Sequence, residues 1–298
     1  LSLTLTSFLQ FVTIFLLLSW ALYLVYRVGQ IYNGPVFTML IGAYFSAYVV
    51  RDLNWPFGLA LLTSMLIGAV ASFIPALRLA RASAFATAIA TIALVFIGQA
   101  VIRNLEFLGG SFGFFHIPIV DYLLPTSYIA VFVIGFLIYR LDHSRTGRAM
   151  EMTFADPDLA AAMGIDIFKS RVWLQTIAGT LGALAGVFYA FHIHTIFVTN
   201  FGLDMLLASF CFLFVGGYTT MWGPVFSTPV LWSISIFLPA EIATWKGAIY
   251  GILLIAVLII HPNGIIDKRL IRIIRGKCQS IFSRRANYQI EEARNEVK

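Results

Sequence analysis

"TGRAMEMTFADPDLAAAMGIDIFKSR", residues 146–171, is the stretch whose reading decides the fold. It interrupts a chain that is otherwise oily. Of 298 residues, 60% are hydrophobic and 11% charged, where a soluble domain is about a quarter charged. On either side, runs of about 20 apolar residues recur, each long enough to cross the hydrocarbon core of a bilayer. A helix at the surface of a soluble protein needs a polar face, and these runs have none. The composition points to an all-α polytopic transmembrane bundle, with 146–171 as a soluble-type element set between two spans.

About nine spans are expected, at 7–26, 34–50, 57–77, 82–102, 125–140, 171–191, 203–220, 224–240 and 247–261. Gly216, Gly217, Gly223, Pro224 and Pro229 interrupt helix, so re-entrant segments stay open as an alternative within 203–240. The first run is kept as a span because no small-residue cleavage site follows it. The 27 phenylalanines, with Trp and Tyr, recur near span ends, as interfacial belts do. Cys211 and Cys278 fall in a span and in the tail, at different depths, which argues against a disulfide.

Orientation follows from the positive charges. If Arg78 and Arg81 face the cytoplasm and every run crosses, Arg27, Arg140, Arg145, Arg148, Lys169, Arg171 and the tail cations join them. Of the 20 Lys and Arg, only Arg51, Arg103 and Lys246 are left outside. This places the N-terminus outside and the C-terminus in the cytoplasm. It divides the chain into a membrane domain, 1–267, with a cytoplasmic loop at 141–170, and a basic tail, 268–298. The net charge of +6 is then a product of topology and needs no nucleic acid. The tail's natural neighbour is the lipid bilayer.

What the spans lack is equally informative. Asp52, Glu106, Asp121, Asp204 and Glu241 fall near outer span ends or in outer loops, and no acid or base lies at mid-depth. Ion-coupled carriers need such a group. The buried polar residues are neutral, Gln10, Gln99 and Gln175 among them, and suit either a solute path or interhelical hydrogen bonds. Gln99 and Gln175 are candidate pathway residues on that ground. No phosphate-cradling GxxxxGK[ST] loop is present. No catalytic or metal-ligating set emerges, since His192 and His194 are spaced so that they do not share a helix face. Gly179, Gly182, Ala183 and Gly186 form overlapping small-xxx-small pairs that allow helices to approach closely, as do Ala82, Ala86 and Ala90.

The opening stretch writes its own start and stop. Asp156 suits an N-cap and Pro157 the first helical position. Asp158 places negative charge at the positive helix end. Leu159, Ala160, Ala161, Ala162 and Met163 favour helix, and Gly164 suits the end. A helix of about seven residues is not stable alone. Leu159, Met163 and Ile165 give it a small apolar surface, to be covered either by a partner or by its own bundle.

"GRAMEMTFADPDLAAAMGIDIFKSRVWLQTIAGTLGALAGVFYA" (147–190) resembles the cytoplasmic loop and following span of permeases from branched-chain amino acid ABC transporters, the Liv type. "IGAY" (41–44), "ALRLARASAFATAIATIAL" (76–94), "GGSFGFFHIP" (109–118), "GGYTTMWGP" (216–224) and "HPNGI" (261–265) resemble further stretches of that family in order, and 109–118 is similar to its M-type subunit. The resemblance implies a permease subunit of an importer at the bacterial inner membrane. Its partners would be a second permease subunit in a heterodimer, two cytoplasmic ATPases that bind the ATP, and an extracytoplasmic solute-binding protein. No cofactor belongs to this chain. The short helix becomes a coupling helix, with Arg148, Asp156, Asp158, Leu159, Ala160, Met163, Gly164 and Ile165 meeting the ATPase. Tyr218, Thr219 and Thr220 after Gly216-Gly217, Ser227, Thr228 and Pro229 after Gly223-Pro224, and the bulky "YNGP" (32–35) depart from the family's small residues. These departures add Tyr218 and Thr219 to the candidate pathway residues, and the solute expected is a branched-chain or other amino acid, or urea or a short amide. A stand-alone channel or secondary carrier for a small neutral solute is the other reading.

Overall fold

The computed structural model describes residues 3–237, 246–261 and 264–265. Eleven α-helices are seen there: α1 (Leu3–Tyr26), α2 (Gly34–Arg51), α3 (Phe57–Leu79), α4 (Ala84–Arg103), α5 (Leu123–Asp142), α6 (Arg145–Ala155), α7 (Pro157–Ala162), α8 (Ile167–Ile193), α9 (Leu203–Gly216), α10 (Trp222–Phe237) and α11 (Lys246–Ile260). The chain is an all-α bundle, and each expected span coincides with a helix. Five of them, α1, α3, α4, α5 and α8, are long and apolar enough to cross a membrane. The 14 residues of α9 rise only about 21 Å. The tail 268–298, with Cys278, and Glu241 lie outside the described residues.

Two of the boundaries that differ from expectation do so for a clear local reason. Helix α8 begins four residues early because Asp166 caps it. The Asp166 carboxylate accepts the Lys169 amide hydrogen at 2.9 Å, which holds its carboxyl below the usual range, and it pairs with Lys169 Nζ at 3.0 Å. Helix α9 stops at Gly216, not at 220, because Gly217 takes φ +115°. Gly264, buried and packed on Gly217, closes this break, and the Ile265 amide donates to Val215 O at 3.0 Å. The stretches 216–224 and 261–265 therefore meet in space.

Burial sorts the helices. Most of α1, α2 and α8 is enclosed, whereas α3, α4 and α5 bury only about a third of their length or less. The outward rows are apolar: Leu59, Leu62, Leu66, Val70 and Phe73 on α3, Phe85, Ile89 and Phe96 on α4, and Ile129, Phe132 and Phe136 on α5. Such a surface is tolerable only in lipid or against another membrane protein. The inward rows are small or polar. On α3, Ala60, Ser64, Gly68, Ser72 and Ala76 fall every fourth residue, and all are buried.

Helix α8 fits against these rows because it has almost no side chains there. A β-carbon at Gly182 would collide with Pro35 O, one at Gly186 with Met39 O, and one at Gly179 with Ser72 Cβ. Across the seam, a β-carbon at Gly42 would strike Ala183 O, and one at Gly68 would strike Ala183 Cβ. Side-chain hydroxyls reinforce the contact: Tyr32 and Ser72 are 2.7 Å apart, and Ser72 donates to Gln175 O at 2.7 Å. The row Ala82, Ala86, Ala90 makes no such seam. Ala86 is exposed, and α4 turns Thr87, Thr91, Val95 and Gly98 inward instead.

The two ends of the bundle carry different chemistry. At one end Phe114 and Ile196 exchange backbone hydrogen bonds at 2.9 and 3.0 Å, and the Arg51 guanidinium lies 3.6 Å from the Phe114 ring centre. At the other end Arg27, just past α1, fastens the end of α5 and the start of α6. It meets Asp142 Oδ1 at 3.0 Å, Tyr23 Oη at 2.8 Å and Gly147 O at 3.1 Å, and the Tyr23 hydroxyl donates to Asp142 Oδ2 at 2.8 Å. The two charged side chains are 10% and 13% exposed.

Two outcomes follow for stability. Gly182→Ala or Gly186→Ala should lower thermal stability in detergent by about 1–3 kcal/mol through overpacking, while Gly58→Ala, in open space, leaves it unchanged or slightly higher. Arg27→Met should cost about 3–5 kcal/mol by leaving Asp142 buried and unpaired. Arg27→Met with Asp142→Leu should recover most of that loss, measured by chemical denaturation of all three proteins.

Candidate coupling site

The stretch 146–171 folds as two short helices and a cap. Ser144 starts α6, its hydroxyl accepting the Gly147 amide hydrogen at 3.1 Å. The sequence reading missed this helix, and Ser144 before a helix-compatible run was the available signal. Gly147, Met150 and Thr153 form its buried face. Gly147 has to be glycine on grounds of space, because a β-carbon would run into Leu141 O at the end of α5.

Helix α7 is stopped at both ends. Asp156 Oδ1 accepts the amide hydrogens of Asp158 and Leu159, each at 3.0 Å. At the other end the Gly164 amide donates to Ala161 O at 2.9 Å and the Ile165 amide to Ala160 O at 3.1 Å. This is the paired closure of a helix by a left-handed residue, and Gly164 supplies it with φ +82°. Here glycine answers a conformational need, since nothing stands within 4 Å of its missing side chain.

The helix has an inner and an outer side. Ala160 is completely buried, whereas Leu159 is 55% and Met163 64% exposed. Asp156, Asp158 and Arg148 are exposed, and Ile165 is half-buried. Phe154, in the last turn of α6, is exposed too. A compact apolar surface thus projects from the same end of the bundle as Arg27.

The remaining predicted residues do not gather at one place. Tyr218 and Thr219 line a cavity of about 140 Å³ with Tyr26, Arg27, Glu151 and Phe154, directly behind the α6–α7 element. There the Tyr26 ring lies 4.8 Å from Tyr218 and 5.6 Å from Phe154. Gln175 lies inside the bundle, its amide donating to Gln30 Oε1. Gln99 is near the opposite end, donating to Phe201 O at 3.0 Å. Neither glutamine lines that cavity. Gly179, Gly182, Ala183 and Gly186 lie in the α8 seam. Arg27 was not singled out from sequence, because its partners are 115 and 120 residues away. Among the described residues, no three of His, Cys, Asp and Glu come together as a metal site.

Comparison with known proteins bears on the chain as a whole. The family described as branched-chain amino acid transport system / permease component matches residues 4–258. The chain is 24% identical over 206 residues to a probable branched-chain amino acid transport permease protein LivM of Methanocaldococcus jannaschii, covering 60% of this chain and 59% of that one. It is 27% identical over 174 residues to the probable LivH of the same organism, covering 55% of this chain and 52% of that one. The chain thus spans little more than half the length of either relative. A solved structure, PsaBC from Streptococcus pneumoniae in complex with Fab, is similar over 87% of this chain and 91% of its own at 13% identity and a TM-score of 0.47. With a family match over residues 4–258, this multi-pass membrane protein belongs to the branched-chain amino acid transport system permease family.

Proposed function

We propose that the chain is the permease subunit of an ABC importer, and that α7 is the element through which a separate ATPase drives it. One observation carries the reading: a six-residue helix, stopped at both ends, holds Leu159 and Met163 outward while Ala160 presses inward. A helix this short is marginal alone and needs docking. Its own bundle supplies one side through Ala160, and an apolar groove on the ATPase supplies the other. Arg148, Asp156 and Asp158 surround the contact with charge of both signs. The ATP is bound by that partner, since this sequence has no phosphate-cradling loop.

The complete importer has two such ATPases, a second permease subunit in a heterodimer, and an extracytoplasmic solute-binding protein. The α6–α7 end then faces the cytoplasm and the N-terminus lies outside the inner membrane, as the positive charges favour. The cargo is a small polar solute: a branched-chain or other amino acid, or urea or a short amide. Family membership supports an amino acid first. Of the candidate pathway residues, Tyr218 and Thr219 are favoured by the cavity they line. Gln99 and Gln175 are each engaged in a hydrogen bond between structural elements.

Leu159→Glu combined with Met163→Glu places two charges where an apolar groove would have to receive them. The variant should reach the membrane at wild-type level and fold normally, yet lose co-purification with the ATPase and ATP-driven uptake roughly tenfold or more. Unchanged co-purification would contradict the reading.

A further inference from the structure

Between α1, α5 and α10 lies a groove of about 400 Å³, much larger than the cavity beside Phe154. Its floor is rigid. The Trp20 indole N–H donates to Met221 O at 3.0 Å, and the Trp20 ring passes over Gly135, where a β-carbon would stand 2.8 Å from the ring edge. Its walls are carbon, from Leu16, Val131, Phe132, Phe136 and Val225, and no charged side chain lines it. Phe132, on the rim, is 78% exposed. A polar solute finds no partner in such a slot.

At one end the chemistry changes. Tyr139 and Trp222 line that end and are both exposed, as aromatic side chains at the headgroup level are. Arg140 is exposed beside them, its guanidinium 6.0 Å from the centre of the Phe136 ring. The His143 ring lies 4.2 Å from that of Tyr139. The carboxylate next in sequence, Asp142, is turned to Arg27 at 3.0 Å. A slot of carbon that ends in exposed cationic and aromatic groups is complementary to a molecule with a long apolar chain and an anionic head.

We propose that this groove binds one anionic phospholipid, an acyl chain lying over Trp20 and Gly135 and its phosphate against Arg140. The site is separate from α7 and does not depend on the ATPase. Its occupant would touch Trp222, the first residue of α10, and Met221, in the same short link between α9 and α10 that holds Tyr218 and Thr219 against α6. Bound lipid would thereby stiffen the bundle behind the α6–α7 element.

The test uses the full chain, purified with the subunits that accompany it from bilayers holding equal phosphatidylglycerol and phosphatidylcholine. Retained lipid is counted by mass spectrometry. One phosphatidylglycerol per chain should remain, enriched about fivefold over phosphatidylcholine by the neighbouring cation. Arg140→Gln, an exposed change that leaves folding intact, should keep a bound lipid but lose that preference. Val131→Phe should fill the groove and lose the lipid, while Leu137→Phe, exposed on the same helix but outside the groove lining, should change nothing. Equal retention of the two lipids by the wild type, or an unaltered preference in Arg140→Gln, would overturn the proposal. So would capture of another polypeptide, instead of lipid, by a photo-crosslinker at position 132.

Discussion

The backbone of α8 lies directly on α2 and α3, and the other features of the molecule take their positions from that contact. Inside a bilayer the hydrophobic effect does not draw helices together, because lipid is as apolar as the side chains. Close approach is favoured instead by van der Waals contact and by hydroxyls that bridge helices. Gly179, Gly182 and Gly186 on one side, with Gly42, Gly68 and Ser72 on the other, remove the side chains that would hold the backbones apart. The cost is flexibility in the unfolded chain. The gain is a central layer with little room to slide.

That layer gives the α6–α7 element something firm to stand on. Helix α8 begins at Ile167, soon after the closure of α7, and Asp166 caps it by accepting the Lys169 amide hydrogen. On the other flank Arg27 ties the end of α1 to the end of α5 and to Gly147 at the start of α6. Tyr26 and Tyr218 pack against Phe154 from behind. The element is therefore held from α1, α5 and α8 at once, while Leu159 and Met163 are left uncovered. A force applied to those two side chains reaches three helices without first being absorbed by a loose loop.

Much of this was legible in the sequence. Apolar runs marked the helices because lipid permits no polar face, and Asp156, Pro157 and Gly164 marked α7 because caps are local chemistry. Cap chemistry also explains the late start given to α8: Asp166 is an N-cap, and the reading passed over it. Tertiary proximity was not legible. Nothing near Arg27 announces Asp142, and nothing near Gly217 announces Gly264. The row Ala82, Ala86, Ala90 had the right spacing and the wrong face, since spacing says that a helix can be approached closely, not which side is approached. Gln99 was singled out by polarity and Tyr218 by its departure from the family's small residues, and the fold sets them at opposite ends.

The central claim is that the exposed face of α7 is a seat for a separate motor. A photo-crosslinker placed at Met163 in the membrane of intact cells tests it without disturbing either cap. The predicted result is an adduct between this chain and a soluble ATPase subunit, identified by peptide mass and strongest where the partner is present. An adduct formed only within this chain, with Met163 joined to its own bundle whether or not an ATPase is supplied, would contradict the account.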